Sequence, residues 1–262
     1  MQLNYNMNQA RAVLGVLADS RLSHTESKIA HGLIPVGAGV AKVIGSNDQI
    51  RLASPQTATV TFDGDLVAAN EINMTVNGEA MAAVTYAVSH DDTMDAIIAE
   101  LITLPTVLRA TLTDAVNNRQ ITIVSVGDAI LVEDAEVTLG GGQAATAVAY
   151  VLTVREFEGI ARRTLAMEDP DLPGVAGPAN YSDLALVNVL RRGAIFVNFE
   201  TAFDPDVDAL FMRYLPGGAG TAVGSFRNDN AGGQAIDLSA LPIVVRESVG
   251  APGLAVVELN LP

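Results

Sequence analysis

Three histidines, a run of alternating aspartates, a glycine triplet and two arginine pairs are the residues whose type and spacing could carry chemistry. His24 and His31 fall in a polar N-terminal region, and His90 stands beside Asp91 and Asp92 at the start of a predicted helix. A metal site needs two or three ligands that converge, so His90 reads as a capping-region or surface residue. Asp204-Pro205-Asp206-Val207-Asp208 begins like a calcium loop. An EF-hand needs glycine at its sixth position and glutamate at its twelfth, where this chain has Ala209 and Leu215. The expectation is a turn opened by Asp-Pro, with Asp204, Asp206 and Asp208 solvated; a calcium site of another type is the alternative. Glu168-Asp169-Pro170-Asp171 reads as a loop in the same way.

Gly140-Gly141-Gly142-Gln143-Ala144 has the glycines of a phosphate cradle but no G-K-[ST] after them, and reads instead as a hinge. Gly224-Ser225-Phe226 lacks the surrounding glycines of a nucleophile elbow, and no histidine follows it. The chain has no cysteine, which excludes disulfides, thiolate catalysis and cysteine-based metal centres. The expectation is a protein that is not an enzyme, with no catalytic residue, cofactor or metal. Arg162-Arg163 and Arg191-Arg192 stand out in an acidic background. In a strand, neighbours point to opposite faces, so each pair offers one arginine to each side. Ion pairs within the fold or across a subunit contact are one use for them, and ordinary surface charge is the other.

The elements that must position these groups are mostly strands. Of 262 residues, 49% are apolar but only 5% aromatic, with no tryptophan. Alanine, valine, leucine and isoleucine suit thin sheets better than an aromatic-lined pocket. Lys+Arg is 15 against Asp+Glu 30, a net charge of −15, which repels phosphate backbones and argues against nucleic-acid binding. The N-terminus lacks a basic-then-apolar signal pattern, and no apolar stretch approaches the ~20 residues that span a bilayer. The expectation is a soluble protein made in a cytoplasm, with no membrane partner.

Residues 1–30 are polar and mixed, with an apolar run at 10–18 that suits a short helix or an extended arm. Ile34–Val43 reads as a glycine-punctuated strand pair, followed by alternation over 48–52. Strands over 57–62, 71–76 and 80–88 follow, with Asn77-Gly78 as a hairpin turn. Met94, Ile97, Ile98, Leu101 and Ile102 then repeat at helical spacing, capped by Ser89, Asp91 or Asp92 and ended by Pro105. Strands over 108–112, 120–126 and 130–139 complete a β-β-β-α-β-β-β unit. Beyond it, strands are predicted over 150–157, 159–166, 185–190, 194–199, 209–214, 243–247 and 254–261, with long loops at 169–180 and 216–233. The fold class is mainly β. Residues 1–55 and 151–262 form a discontinuous β domain with an N-terminal arm, and residues 56–150 an inserted α+β domain.

Several segments of the discontinuous domain resemble the structural cement (capsid decoration) proteins of tailed bacteriophages. They are Leu14-Gly15-Val16-Leu17-Ala18-Asp19-Ser20, Gly32-Leu33-Ile34-Pro35-Val36-Gly37-Ala38-Gly39-Val40 and Gly159-Ile160-Ala161-Arg162-Arg163-Thr164. Val187–Val197 and Gly253–Leu259 resemble that family's later strands. The inserted segment is similar to a module of other phage virion proteins, through Asn77-Gly78 and Ser89-His90-Asp91-Asp92-Thr93, and the simplest cement proteins lack it. The resemblance implies a β-sandwich or barrel-like domain on the outer capsid surface of the virion, assembled as a homotrimer, whose partner is the major capsid protein. A tail, baseplate or fibre-associated protein is the alternative, and a carbohydrate-binding module a more distant one.

Overall fold

In the computed structural model, residues 15, 17–18, 23–114, 116–126, 129–138, 143–163, 180–218 and 221–262 are described. Strand takes up 46% of the described residues and helix 8%, so the fold is mainly β. The chain divides into two compact units, Met1–Ser54 with Thr153–Pro262 (the split unit) and Pro55–Leu152 (the inserted unit). Among the described residues, no helix is long and apolar enough to cross a membrane.

The split unit begins with β1 (His24–His31), β2 (Ile34–Pro35), β3 (Gly39–Lys42) and β4 (Gln49–Leu52). The inserted unit supplies β5 (Thr57–Phe62), β6 (Glu71–Val76), β7 (Glu79–Ala80), β8 (Val84–Thr85) and α1 (His90–Thr103). It continues through β9 (Val107–Leu112), β10 (Gln120–Ser125), β11 (Val132–Thr138) and β12 (Ala145–Val151). The split unit resumes with β13 (Phe157–Arg162), β14 (Asn180–Tyr181), β15 (Leu186–Phe199) and β16 (Phe211–Arg213). It ends with β17 (Phe226–Arg227), β18 (Ala235–Asp237), β19 (Ile243–Val245) and β20 (Gly253–Asn260).

In the split unit, β1, β4, β3, β13 and β15 pair in that order, and β15 pairs back onto β1. The ring is therefore a small closed barrel, and closure leaves those strands no free edge. Its β1–β4 pair is parallel and its other pairs antiparallel. The interior is filled by Ala30, Ile34, Val36, Val40, Ile50, Ala161, Val187 and Val189, with Tyr181 beside them. Small and branched residues are what so narrow a barrel can hold. At Gly159, where the β3 register shifts, φ is 146° and an added Cβ would collide with the Leu190 carbonyl oxygen. Only glycine fits this bulge.

Two expectations for this unit are corrected. Residues 185–190 and 194–199 are one 14-residue strand, not two. Arg191-Arg192-Gly193 looks like a break, but there the strand changes partners: Arg192 faces both His24 of β1 and Asn260 of β20. Gly193, with φ 120°, accommodates the change. The polar segment before Ile34 contains β1, which was not expected; only Ala30 of its residues is fully buried, so its sequence carries no apolar alternation.

The inserted unit has two four-stranded sheets, one ordered β12-β5-β10-β9 and one in which β6 carries β11 on one side and β7 and β8 on the other. Asn77 and Gly78 have φ of 50° and 81°, the left-handed pair that a type I′ hairpin requires. The α1 helix is capped by Ser89, whose hydroxyl accepts the Asp92 N–H at 3.1 Å. Its Met94, Ile97 and Leu101 pack into one core with Val60, Phe62, Ile72, Met74, Ile121 and Ile123. The order is four strands, helix, four strands, rather than three and three. Residues 80–88 form two short pieces because their register on β6 shifts as Met81 turns into the core. Residues 150–157 are not one strand either: Tyr150 and Val151 end β12, a 3₁₀ turn spans Val154–Glu156, and Phe157 opens β13.

Candidate functional site

A buried constellation of charged groups lies in the second half of the split unit. Glu200 follows directly on β15, and its side chain is 2% exposed. The Arg213 Nε–H, from β16, donates to both of its oxygens at 2.8 and 3.0 Å. The Arg227 Nη1–H, from β17, donates to Oε2 at 3.1 Å, and the Ala222 N–H to Oε1 at 2.9 Å. Three N–H groups thus converge on the carboxylate, with the Arg213 Nε–H shared between its two oxygens. Arg213 also reaches the Gln234 side-chain oxygen at 2.9 Å, and Arg227 Nε reaches Asp229 at 2.6 Å. One buried carboxylate and two guanidinium groups therefore staple the segments around residues 200, 213, 222, 227 and 234. With three donors from three segments on Glu200, the arrangement fixes loops.

Glu200, Arg213 and Arg227 were not expected from the sequence. The one available signal was local: Arg213 follows Leu210-Phe211-Met212 and Arg227 follows Ser225-Phe226, charged residues inside apolar strand runs. A second such pair joins Arg51 and Glu156 at 3.1 Å, with side-chain exposures of 2% and 20%. Burial pulls the Arg51 guanidinium down to about 10, against the upward influence of Glu156. Burial also raises Glu156, and Arg51 offsets this only in part.

The arginine pairs serve the fold. Arg191 donates to Glu158 at 3.0 Å, to Glu26 at 3.4 Å and to the Pro262 oxygen at 2.8 Å. Burial pushes Glu26 up, but Arg191 and Lys28 together hold it below the usual carboxylate range. The Arg192 Nε–H donates to the Leu261 carbonyl at 3.0 Å, and Arg162 reaches the Thr25 hydroxyl at 3.4 Å. The Arg163 backbone N–H donates to the Gly15 carbonyl at 2.8 Å.

His24 and His31 occupy opposite ends of β1, about 23 Å apart by strand rise. His90 belongs to the inserted unit and hydrogen-bonds through both ring nitrogens to backbone groups. The Asp204 loop turns its carboxylates on itself: Asp208 accepts the Asp204 N–H at 2.8 Å, and Asp204 accepts the Asp206 N–H at 3.1 Å. Among the described residues, no group of three or more His, Asp or Glu side chains could hold a metal ion. Ser225 is buried, and its carbonyl accepts the Arg213 N–H at 2.9 Å.

The acidic run at 168–171, the glycines at 140–142 and, of the N-terminal arm, residues 1–14, 16 and 19–22 lie outside the described residues. Of the same N-terminal region, Leu17 bridges to Ile195 and the Ala18 N–H donates to the Ala194 carbonyl at 2.9 Å. These residues run along the split unit's own β15. The fold and its buried charges define a mainly β protein whose loops are held by ionic staples. Compared with models of protein families and with curated proteins, the chain matches none.

Proposed function

We propose that the chain is a non-enzymatic virion structural protein of the cement class. It binds the outer capsid surface as a homotrimer and stabilises contacts between major capsid subunits. The observation that carries this is where the resembling segments fall in the fold. Gly32–Val40, Gly159–Arg163, Val187–Val197 and Gly253–Leu259 lie far apart in sequence, yet they supply β3, β13, β15 and β20, which are consecutive neighbours in one sheet. The segments that carry the resemblance are thus neighbouring strands of the split unit's sheet.

The physical logic of such a protein is mass action. A ligand that binds only the assembled lattice stabilises that lattice against subunit loss. Three equivalent contacts in a trimer add through effective concentration, so each can be weak. Loops stapled by buried ion pairs suit this work, because a preorganised surface loses less conformational entropy on docking.

The test is co-sedimentation of the purified chain with expanded capsids and with free capsid subunits. Strong binding to capsids alone supports the proposal, and equal binding to both overturns it. A reconstruction of the source particle that places the chain only on the tail would transfer it to the tail or baseplate.

A further inference from the structure

Three loops meet at one end of the inserted unit: residues 63–70 between β5 and β6, residues 86–89 leading into α1, and residues 113–119 between β9 and β10. A shallow depression among them is lined by Asp65, His90, Asp91, Asn117 and Asn118. His90 pins two of the loops together. Its Nδ1 accepts the Leu66 N–H at 2.9 Å, and its Nε2 lies 3.0 Å from the Asn118 carbonyl oxygen. An amide N–H can only donate and a carbonyl can only accept, so the ring must be the neutral Nε2–H tautomer. The Leu66 side chain is buried in the unit's apolar core, so the amide it offers to His90 is anchored from the other side.

We infer that His90 is a pH-sensitive latch between the 63–70 and 113–119 loops. In the neutral form it closes the latch. Protonation places a second N–H on Nδ1, facing the Leu66 N–H, and the bond to the 63–70 loop is lost while the bond to Asn118 remains.

The charged groups around the ring do not reverse this sign. From the 63–70 loop come Asp65, paired with Arg119 at 2.8 Å, and Asp63, which accepts the Ala144 N–H at 2.8 Å. From α1 come Asp91, which accepts the Asn118 side-chain amide at 3.0 Å, and Asp92, which accepts the Ser89 hydroxyl at 2.7 Å. From the 113–119 loop come Arg119 and Asp114, the latter accepting the Val116 N–H at 3.0 Å. The carboxylates attract an imidazolium and Arg119 repels it. Each carboxylate already serves another donor and faces solvent, where attraction is screened. The hydrogen bond from Leu66 is partly buried and is lost outright. The Arg119 hydrogen bond holds Asp65 below the usual carboxylate range, so Asp65 keeps its charge and its pairing with Arg119 above that range.

The test is amide hydrogen exchange at Leu66 in the full chain between about pH 8 and about pH 5, corrected for intrinsic exchange. Protection should fall on the order of tenfold on acidification, the worth of one hydrogen bond. His90→Gln keeps one acceptor and one donor but does not titrate, so its protection should stay level. Unchanged protection in the parent chain, or the same fall in the variant, would overturn the latch. Imidazole nitrogen shifts of the parent chain near neutral pH give a check that does not depend on the variant folding: an Nδ1–H tautomer there would also overturn it.

Discussion

The two units bury different kinds of polar group. Among the described residues of the inserted unit the buried polar ones are Gln56, Asn70, Thr93 and Ser125, all neutral, and the Arg119–Asp65 ion pair lies at the surface. In the split unit Arg51, Arg213 and Arg227 are buried, Arg51 paired with the part-buried Glu156 and the other two with the Glu200 carboxylate. The difference follows from what each architecture can fill. Two sheets and a helix enclose a continuous apolar core, whereas a narrow barrel holds little beyond Ala, Val and Ile, and the segments after β15 are short strands joined by loops. Buried ion pairs tie those segments together. Such pairs add little net stability, but they are fragile, because losing one partner strands the other.

The largest effect that could break this comparison is the fate of residues 55–152 alone. With its own core, the fragment should fold cooperatively, with dispersed amide resonances and a single thermal transition. A fragment lacking fixed tertiary structure would show that the apolar core is not sufficient. Next in size, Glu200→Ala in the full chain leaves Arg213 without its carboxylate and Arg227 with only Asp229. It should destabilise the split unit by about 3–5 kcal/mol while the inserted unit's transition stays in place. Chemical denaturation followed by probes in each unit separates the two. Ile97→Ala is the reciprocal variant: it removes a fully buried side chain of α1 and should cost the inserted unit about 3 kcal/mol. If Glu200→Ala proved milder than Ile97→Ala, the buried charges would be less important to the split unit than their geometry implies.

What was legible in the sequence divides along the same line. The α1 helix, its Ser89 cap and the Asn77-Gly78 hairpin are local features, set by spacing and turn chemistry within a few residues, and the structure has them. Barrel closure is not local. β1 pairs with β15 across the insertion and the whole of β13, and its polar sequence carries no apolar alternation to show it. Glu200, Arg213 and Arg227 meet only through the pairing of β15, β16 and β17, so no spacing rule could join them. The Arg191-Arg192 pair was visible, but its partners Glu26, Glu158 and the chain's last residues could be found only in three dimensions.

The smallest prediction concerns pH, where one carboxylate from each unit responds with opposite sign. Burial raises Glu156 from its ordinary value of 4.5 despite Arg51. The folded split unit therefore holds that proton more tightly than the unfolded chain does. The contribution to stability is fully present below the ordinary value and is lost as pH rises through the raised one. Asp65 is lowered from 3.8, chiefly by its hydrogen bond from Arg119. Its contribution is present above that value and is lost as pH falls through the lowered one. Glu156→Gln should therefore flatten the split unit's decline on the alkaline side of 4.5, and Asp65→Asn should flatten the inserted unit's decline on the acid side of 3.8. Urea midpoints followed across this range with a probe in each unit give both slopes. If Glu156→Gln left the slope unchanged, the Arg51 attraction would be cancelling the burial of Glu156, and that pair would be a true salt bridge rather than a tolerated one.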